Sequence, residues 1–385
     1  MAQHDNPPMD LNRAQTLLGG LSPSSFMRRH WHKKPLLVRQ AIAGVAPVFS
    51  RTEMFALAAR DDVESRLIRR GADERWHVRH GPLSRRALPA LAQPGWTLLV
   101  QGVDLHLDAA HELLARFAFI PAARLDDLML SYASEGGGVG PHVDSYDVFL
   151  LQVQGRRRWR IGRLRDARLR DDVPLKMLAH FAPEQEWLLD PGDMLYLPPG
   201  CAHDGVAAGG DCMTASIGFR APRADELAQA LLARLADGVD ASERAPRYRD
   251  PGQPATATPG AIPAALQGFA QRALARALAD PVATRRTLGE WLTEPKAQVW
   301  FDAGAGHNAE HGVQLDRRSR MAYDDHHIFI NGESLRASGR DARLMRLLAD
   351  QRRLDAASVR GASPAARSQI GEWLASGWLR ATDRP

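Results

Sequence analysis

Cysteine is nearly absent from this 385-residue chain: only Cys201 and Cys212 occur. That excludes a disulfide framework and fits a reducing, cytoplasmic setting. No apolar run is long enough to span a membrane, and none is expected to contact one. The segment Met1–Asn12 is polar and lacks the basic and apolar regions of a signal peptide. No internal repeat is visible. Charge imbalance is small, 50 basic against 45 acidic residues for a net of +5, which permits weak attraction to RNA without demanding it. The run Gly136–Gly137–Gly138 carries no lysine or Ser/Thr in a P-loop arrangement, so nucleotide binding gains no support. What remains is an ordinary globular composition, 44% hydrophobic and 25% charged, at a length that suggests two or three domains.

The most informative residues are His142 and Asp144, one residue apart, with His203 far downstream. A strand places residues i and i+2 on one face, so His142 and Asp144 can point at one ion while a second strand supplies His203. Two imidazoles and one carboxylate form the facial triad of non-haem Fe(II) oxygenases and leave three adjacent positions open. His-X-Asp alone is a common pair, and its surroundings give it weight. The glycines at 136–138 and 140 let backbone approach a site closely just before the ligands. Tyr146–Val153 is rich in β-branched and aromatic residues and reads as a strand, followed by Gly155 and a new strand from Arg156. Asp190–Pro191–Gly192–Asp193 is a turn in which Pro presets φ and Gly takes φ > 0. Met194–Leu197 is then a short strand, stopped by Pro198–Pro199–Gly200.

Pro141–Asp144, Gly155–Trp159 and Pro191–Gly200 followed by His203 resemble the JmjC-domain 2-oxoglutarate oxygenases, and within them the bacterial ribosomal oxygenases, arginine hydroxylases of a large-subunit ribosomal protein. Phe26–Arg39 is similar to the start of that domain and Ser216–Arg220 to its closing strand. The resemblance implies an α+β chain. Its core would be a double-stranded β-helix (a JmjC/cupin-like jelly-roll barrel), joined to a helical dimerisation region and a C-terminal winged-helix domain. The expected boundaries are 1–222, 223–299 and 300–385. The resemblance also implies Fe(II) on His142, Asp144 and His203, with 2-oxoglutarate and O2 as cosubstrates on the open positions. The distal carboxylate of 2-oxoglutarate then needs a cation inside the barrel, and a guanidinium can bind it bidentately. Arg157 occupies the position where the family places that cation, and Arg156 and Arg158 would face the other way. Ser131 matches a family position that assists, and Ser216 is a further candidate. The implied partners are a large-subunit ribosomal protein as substrate and a second copy of the chain as homodimer.

Other features take blander readings. From Arg223 the pattern turns helical, with Leu227, Leu231 and Leu235 at every fourth position. A proline-rich stretch from Pro246 to Pro263 interrupts it, and a second helix carries Leu266, Phe269, Ala273, Leu274 and Ala277. Beyond about residue 300, Ile328–Ile330, the Asn331–Gly332 turn and helices over Ala342–Leu348 and Pro364–Ala375 follow the order of a winged helix. Its arginines alternate with Asp341, Asp350 and Asp355, so a solvated mixed-charge face is favoured over nucleic-acid binding. His30, His32, His307, His311, His326 and His327 lack a matching carboxylate and turn, and are read as satisfied or exposed. Trp159 and Trp187 are read as core, and Cys201 as a buried thiol. Two other classes stay open: a metal-binding or lectin-like cupin without turnover, and a ligand-sensing cupin-type regulator with a DNA-binding winged helix.

Overall fold

Alternation along the strands decides how the N-terminal half closes on itself. The computed structural model describes residues 9–45, 49–71, 73–238, 246–304 and 312–382. The chain divides into two compact units, residues 1–221 with 297–300, and residues 222–296 with 301–385. In the first, helices α1 (Pro23–Arg29), α2 (Arg51–Ala58) and α3 (Asp108–Ala115) accompany twelve strands. These are β1 (Leu36–Val38), β2 (Ser65–Arg70), β3 (Trp76–His80), β4 (Trp96–Val100), β5 (Leu125–Ala133) and β6 (His142–Val143), then β7 (Asp147–Gln154), β8 (Arg157–Arg163), β9 (Gln185–Leu189), β10 (Met194–Leu197), β11 (Cys201–Ala207) and β12 (Cys212–Phe219). They form an eight-stranded sheet, β1-β10-β7-β12-β5-β4-β2-β3, and a four-stranded sheet, β6-β11-β8-β9. Neighbouring strands in both sheets run antiparallel among the described residues.

The period-2 rule separates two apolar layers. Leu128, Leu130 and Tyr132 of β5 join Phe26, Trp96, Phe149 and Tyr196 in a large core beneath the helices. Val148 and Leu150 of β7 face the other way and meet Trp159, Ile161 and Leu189 from the small sheet. The second layer is the barrel interior. Its lining therefore comes from alternate residues of both sheets, which is what a jelly-roll barrel requires. The segment before β1 is tied down by polar contacts: the backbone N–H of His32 donates to the Tyr196 hydroxyl at 3.0 Å, and that hydroxyl donates to the buried Asp147 at 2.5 Å.

The second unit holds α4 (Ala224–Asp237), α5 (Ala264–Leu278) and α6 (Pro281–Thr293), then β13 (Gly312–Leu315), β14 (Met321–Tyr323), β15 (His327–Ile330), β16 (Glu333–Arg336), α7 (Gly339–Gln351), β17 (Arg353–Asp355), α8 (Ala356–Arg360), α9 (Pro364–Ala375) and β18 (Leu379–Ala381). Two three-stranded sheets, β17-β13-β18 and β14-β15-β16, share a core with Leu348, Ile370 and Trp373. Asn331 and Gly332 both take positive φ, 49° and 88°, in the tight turn joining β15 to β16. No local pattern announces that α6 packs on that hairpin. Gly289 of α6 lies against the Phe329 ring with no room for a Cβ. No described helix is long and apolar enough to cross a membrane.

One turn organises the approach to β10. Gly192 has φ 95°, and Asp193, just after it, accepts from Arg39 at 2.6 Å, the Gln40 N–H at 2.9 Å and the Asp190 N–H at 3.0 Å. Burial works to raise the Asp193 carboxyl, but these donors hold it below its ordinary range. Asp193→Ala should cost about 2–4 kcal/mol in urea unfolding, since three donors lose their acceptor. A depressed carboxyl contributes stability that is complete above its unfolded pKa and lost as pH falls through its folded one. The deficit of the variant should accordingly be full at neutral pH and shrink below about pH 4.

Candidate metal centre

The ligand strands are short, and backbone contacts fix them. Gly138 precedes them where an added Cβ would lie 2.6 Å from the Gly205 carbonyl, so the glycine run crosses β11 at contact distance. β6 then pairs with β11 so that His142 lies directly opposite His203. Asp144 follows β6, and its carbonyl accepts from the Gly200 N–H at 2.9 Å. His142, Asp144 and His203 each bring one ligand atom to within 4.8 Å of the others. Nε2 of His203 lies 3.6 Å and Nε2 of His142 4.0 Å from the same Asp144 oxygen.

Donor chemistry supports a metal at that point. Nδ1 of His142 lies 2.9 Å from the Gly140 carbonyl, and Nδ1 of His203 lies 2.9 Å from the Cys201 carbonyl. A carbonyl only accepts, so each Nδ1 carries the proton and each Nε2 presents its lone pair. Burial, with His142 beside it, pushes the His203 imidazole down to about 3, so it stays neutral, as a ligand must. Burial raises the Asp144 carboxyl, opposed by His142 and a hydrogen bond from Tyr146. A carboxylate desolvated in this way is stabilised by a cation.

Further along the same inner face, β8 presents Arg157, Trp159 and Ile161, while Arg156 and Arg158 are exposed. Arg157 is 3% exposed. It donates to Ser131 Oγ at 3.1 Å and to the Gly205 carbonyl at 3.1 Å. Its guanidinium lies 5.0 Å from the centre of the Trp159 ring, and its Nε has no hydrogen-bond partner. Among the described residues no carboxylate pairs with it. Gly205 makes this packing possible, because a Cβ there would sit 2.6 Å from Trp159 and 2.8 Å from Arg157 Nε. An unpaired buried cation is costly, and a barrel lined this way is suited to receive an anion.

A family model for the JmjC domain matches residues 112–227, and one for the ROXA-like winged helix matches residues 276–380. The ribosomal protein uL16 3-hydroxylase of Escherichia coli (strain K12) is 34% identical over 278 residues, covering 71% of this chain and 72% of that protein. The chain belongs to the JmjC-domain ribosomal oxygenases. An X-ray structure of E. coli YcfD superposes with a TM-score of 0.82 at 27% identity, covering 94% of this chain and 98% of that one. A YcfD structure in complex with cobalt and 2-oxoglutarate gives 0.79 at 27% identity over the same shares. An AraC-like ligand binding domain also matches residues 177–279, a span that runs from the second half of the barrel into α5.

In this ribosomal oxygenase the remaining sequence candidates fall apart. Ser131 reaches Arg157, whereas Ser216 is buried on β12 and, among the described residues, no hydrogen bond joins it to that guanidinium. His32 lies 3.0 Å from Asp147 and His30 Nδ1 lies 3.2 Å from the Pro35 carbonyl. His327 is buried beside Asp324, and His326 donates its backbone N–H to the same Asp324 at 2.7 Å. His307 and His311 lie outside the described residues. Trp159 lies in the barrel interior, its ring 5.8 Å from His203; Trp187 is half-buried. Cys201 is half-buried too, its thiol pushed up to about 11 by burial. Sequence reasoning did not single out Tyr146 as a neighbour of Asp144, or Gly205. The i+2 spacing from Asp144 and from His203 was the available signal for each.

Loss of an outer-shell partner costs a metal site ~10–100-fold in affinity, so loss of a ligand should exceed about 100-fold. In calorimetric titration with cobalt(II), His142→Ala and Asp144→Ala should each show that loss, with Arg158→Ala unchanged. Wild-type affinity in both ligand variants would exclude the site.

Proposed function

We propose that this chain is an Fe(II)- and 2-oxoglutarate-dependent protein hydroxylase acting at C3 of an arginine in a large-subunit ribosomal protein. The observation that carries the cosubstrate is Arg157, a buried guanidinium with no anionic partner, on the inner face that also bears His203. In this reading His142, Asp144 and His203 hold the iron. Iron(II), when bound, supplies the activation of O2 coupled to cleavage of 2-oxoglutarate into succinate and CO2, one oxygen atom going to succinate and one to the substrate hydroxyl. Arg157 and Ser131 bind the distal carboxylate, Trp159 walls that pocket from water, and Tyr146 orients Asp144. The charges of Asp144, Asp127 and Asp126 all act on the Tyr146 hydroxyl, opposed there by Arg66. The names of the similar proteins support the ribosomal substrate. Free thiols at Cys201 and Cys212 suit a cytoplasmic enzyme.

Full-length protein with Fe(II), 2-oxoglutarate and purified large-subunit ribosomal proteins should add one oxygen to a single arginine, read by peptide mass. Arg157→Ala should raise the KM for 2-oxoglutarate about 100-fold, since a buried charge pair is lost, and Arg156→Ala no more than about threefold. Oxygen added to a different residue type would overturn the arginine assignment. Equal effects of the two variants would overturn the role of Arg157.

The same proposal keeps three parts, a barrel to 222, helices over 223–299 and a winged helix from 300, with the helices joining two copies. On α5, Leu266, Leu274 and Leu278 are 37%, 59% and 43% exposed, an apolar stripe left without cover. Phe269, by contrast, meets Tyr248 edge-on with ring centres 5.7 Å apart, so exposed positions make the cleaner test. Leu274→Glu with Leu278→Glu should convert a dimer into a monomer in light scattering at micromolar concentration. A wild-type monomer under those conditions would contradict the dimer.

A further inference from the structure

The net charge of the molecule is concentrated in one hairpin and the segment that follows it. Residues 65–86 hold seven arginines, two histidines and two acids, Asp73 and Glu74. Seven cations against two anions give this stretch a net +5, equal to that of the whole chain, so the remainder is balanced. Five of the arginines and both acids fall in β2, β3 and the turn between them, at the edge of the large sheet, and Arg85 and Arg86 follow β3. Arg69 lies opposite His77 and Leu67 opposite Arg79 on one face; Arg70 lies opposite Trp76 and Arg66 opposite His80 on the other. Arg70 pairs with Glu74 and Arg75 with Asp73. Arg69, Arg79 and Arg86 are exposed, and among the described residues none of them pairs with an acid.

The hairpin borders a cleft of ≈ 860 Å³ lined by Arg69, Arg70, Trp76, Arg160, Arg170 and Phe181. Trp76 and Phe181 are half-buried there, leaving aromatic surface among guanidinium groups. The acids of the cleft are engaged: Glu74 with Arg70, Asp204 with Arg160, and Glu135 with the Gly210 N–H. Gly140 and Pro141 also line it, immediately before His142, so the surface reaches the chain segment that carries the metal ligands.

We infer that the β2–β3 hairpin and this cleft bind single-stranded RNA. Arg69 in the cleft, with Arg79 and Arg86 beyond it, offers guanidinium groups without counter-charges that suit a phosphate backbone, and the aromatic surface of Trp76 and Phe181 in the cleft suits stacked bases. The inference rests in part on the proposed substrate: a ribosomal protein is itself basic, so this patch repels it unless RNA lies between them. An acidic protein would meet the charge but make no use of the aromatic planes.

The test is fluorescence anisotropy of the full chain with a labelled, mixed-sequence single-stranded RNA of about 20 nucleotides, titrated across KCl concentrations from about 50 to 200 mM. Each phosphate contact on a single strand contributes ~0.7 to the salt slope, so Arg69→Glu, Arg79→Glu and Arg86→Glu together should lower the slope by about 2 and weaken binding at least about tenfold. Arg340→Glu, Arg343→Glu and Arg360→Glu, the same charge change at exposed positions of the second unit, should alter affinity less than about twofold. Trp76→Ala should weaken binding about tenfold while leaving the slope intact. No binding by wild type in low salt, or equal loss in both triple variants, would overturn the inference. Competition by polyglutamate as effective as by unlabelled RNA would reassign the patch to an acidic protein. Binding is read without turnover, so failure of the hydroxylase reading would leave this result standing.

Discussion

A guanidinium sealed inside a barrel without a counter-ion is the constraint around which this fold is arranged. Removing Arg157 from water is offset in part by Ser131, the Gly205 carbonyl and the Trp159 face, yet Nε is left without a partner. Hydrogen bonds to neutral groups recover only a fraction of a buried charge's lost hydration. The remainder is available to an entering carboxylate, and in the proposed reading the cost of folding around Arg157 becomes affinity for the cosubstrate. This also explains why Gly205 and Gly138 are so tightly placed. A Cβ on Gly205 would meet Trp159 and the Arg157 guanidinium, and one on Gly138 would meet the Gly205 carbonyl.

The metal donors depend on the same closure. His142 and His203 face each other because β6 and β11 pair in a single register, and a one-residue slip of β6 would turn the His142 imidazole to the other face. Backbone carbonyls set both tautomers, so donor orientation is fixed by the strands rather than by neighbouring side chains that could be substituted. Asp144 has no strand partner of its own; the Gly200 N–H on its carbonyl and Tyr146 on its carboxylate hold it instead. The turn at Asp190–Asp193 aligns β10, which buries Tyr196 against Asp147 and thereby anchors β7, the strand that follows the ligands.

Much of this was legible from local pattern. The i, i+2 rule brought two of the three candidate ligands to one face, the outward direction of Arg156 and Arg158 followed from period-2 alternation, and the Pro–Gly and Asn–Gly turns form where turn chemistry demanded them. What could not be read were contacts made across long sequence separation. The His32, Asp147 and Tyr196 cluster joins residues more than one hundred positions apart, and α6 meets β15 through a glycine–phenylalanine contact that no periodicity announces. The hairpin charge was hidden for a different reason. A net +5 over 385 residues looks unremarkable until β2, β3 and the segment after them gather it at one sheet edge.

The most direct measurement is anomalous diffraction from crystals of the full chain grown with cobalt(II) and 2-oxoglutarate. The expected result is one anomalous peak within about 2.3 Å of Nε2 of His142, Nε2 of His203 and a carboxylate oxygen of Asp144, an ordinary metal–ligand distance. The distal carboxylate of 2-oxoglutarate should lie on Arg157 and Ser131. A metal bound elsewhere, or a cosubstrate carboxylate held by a different cation with Arg157 still unpaired, would contradict the assignment.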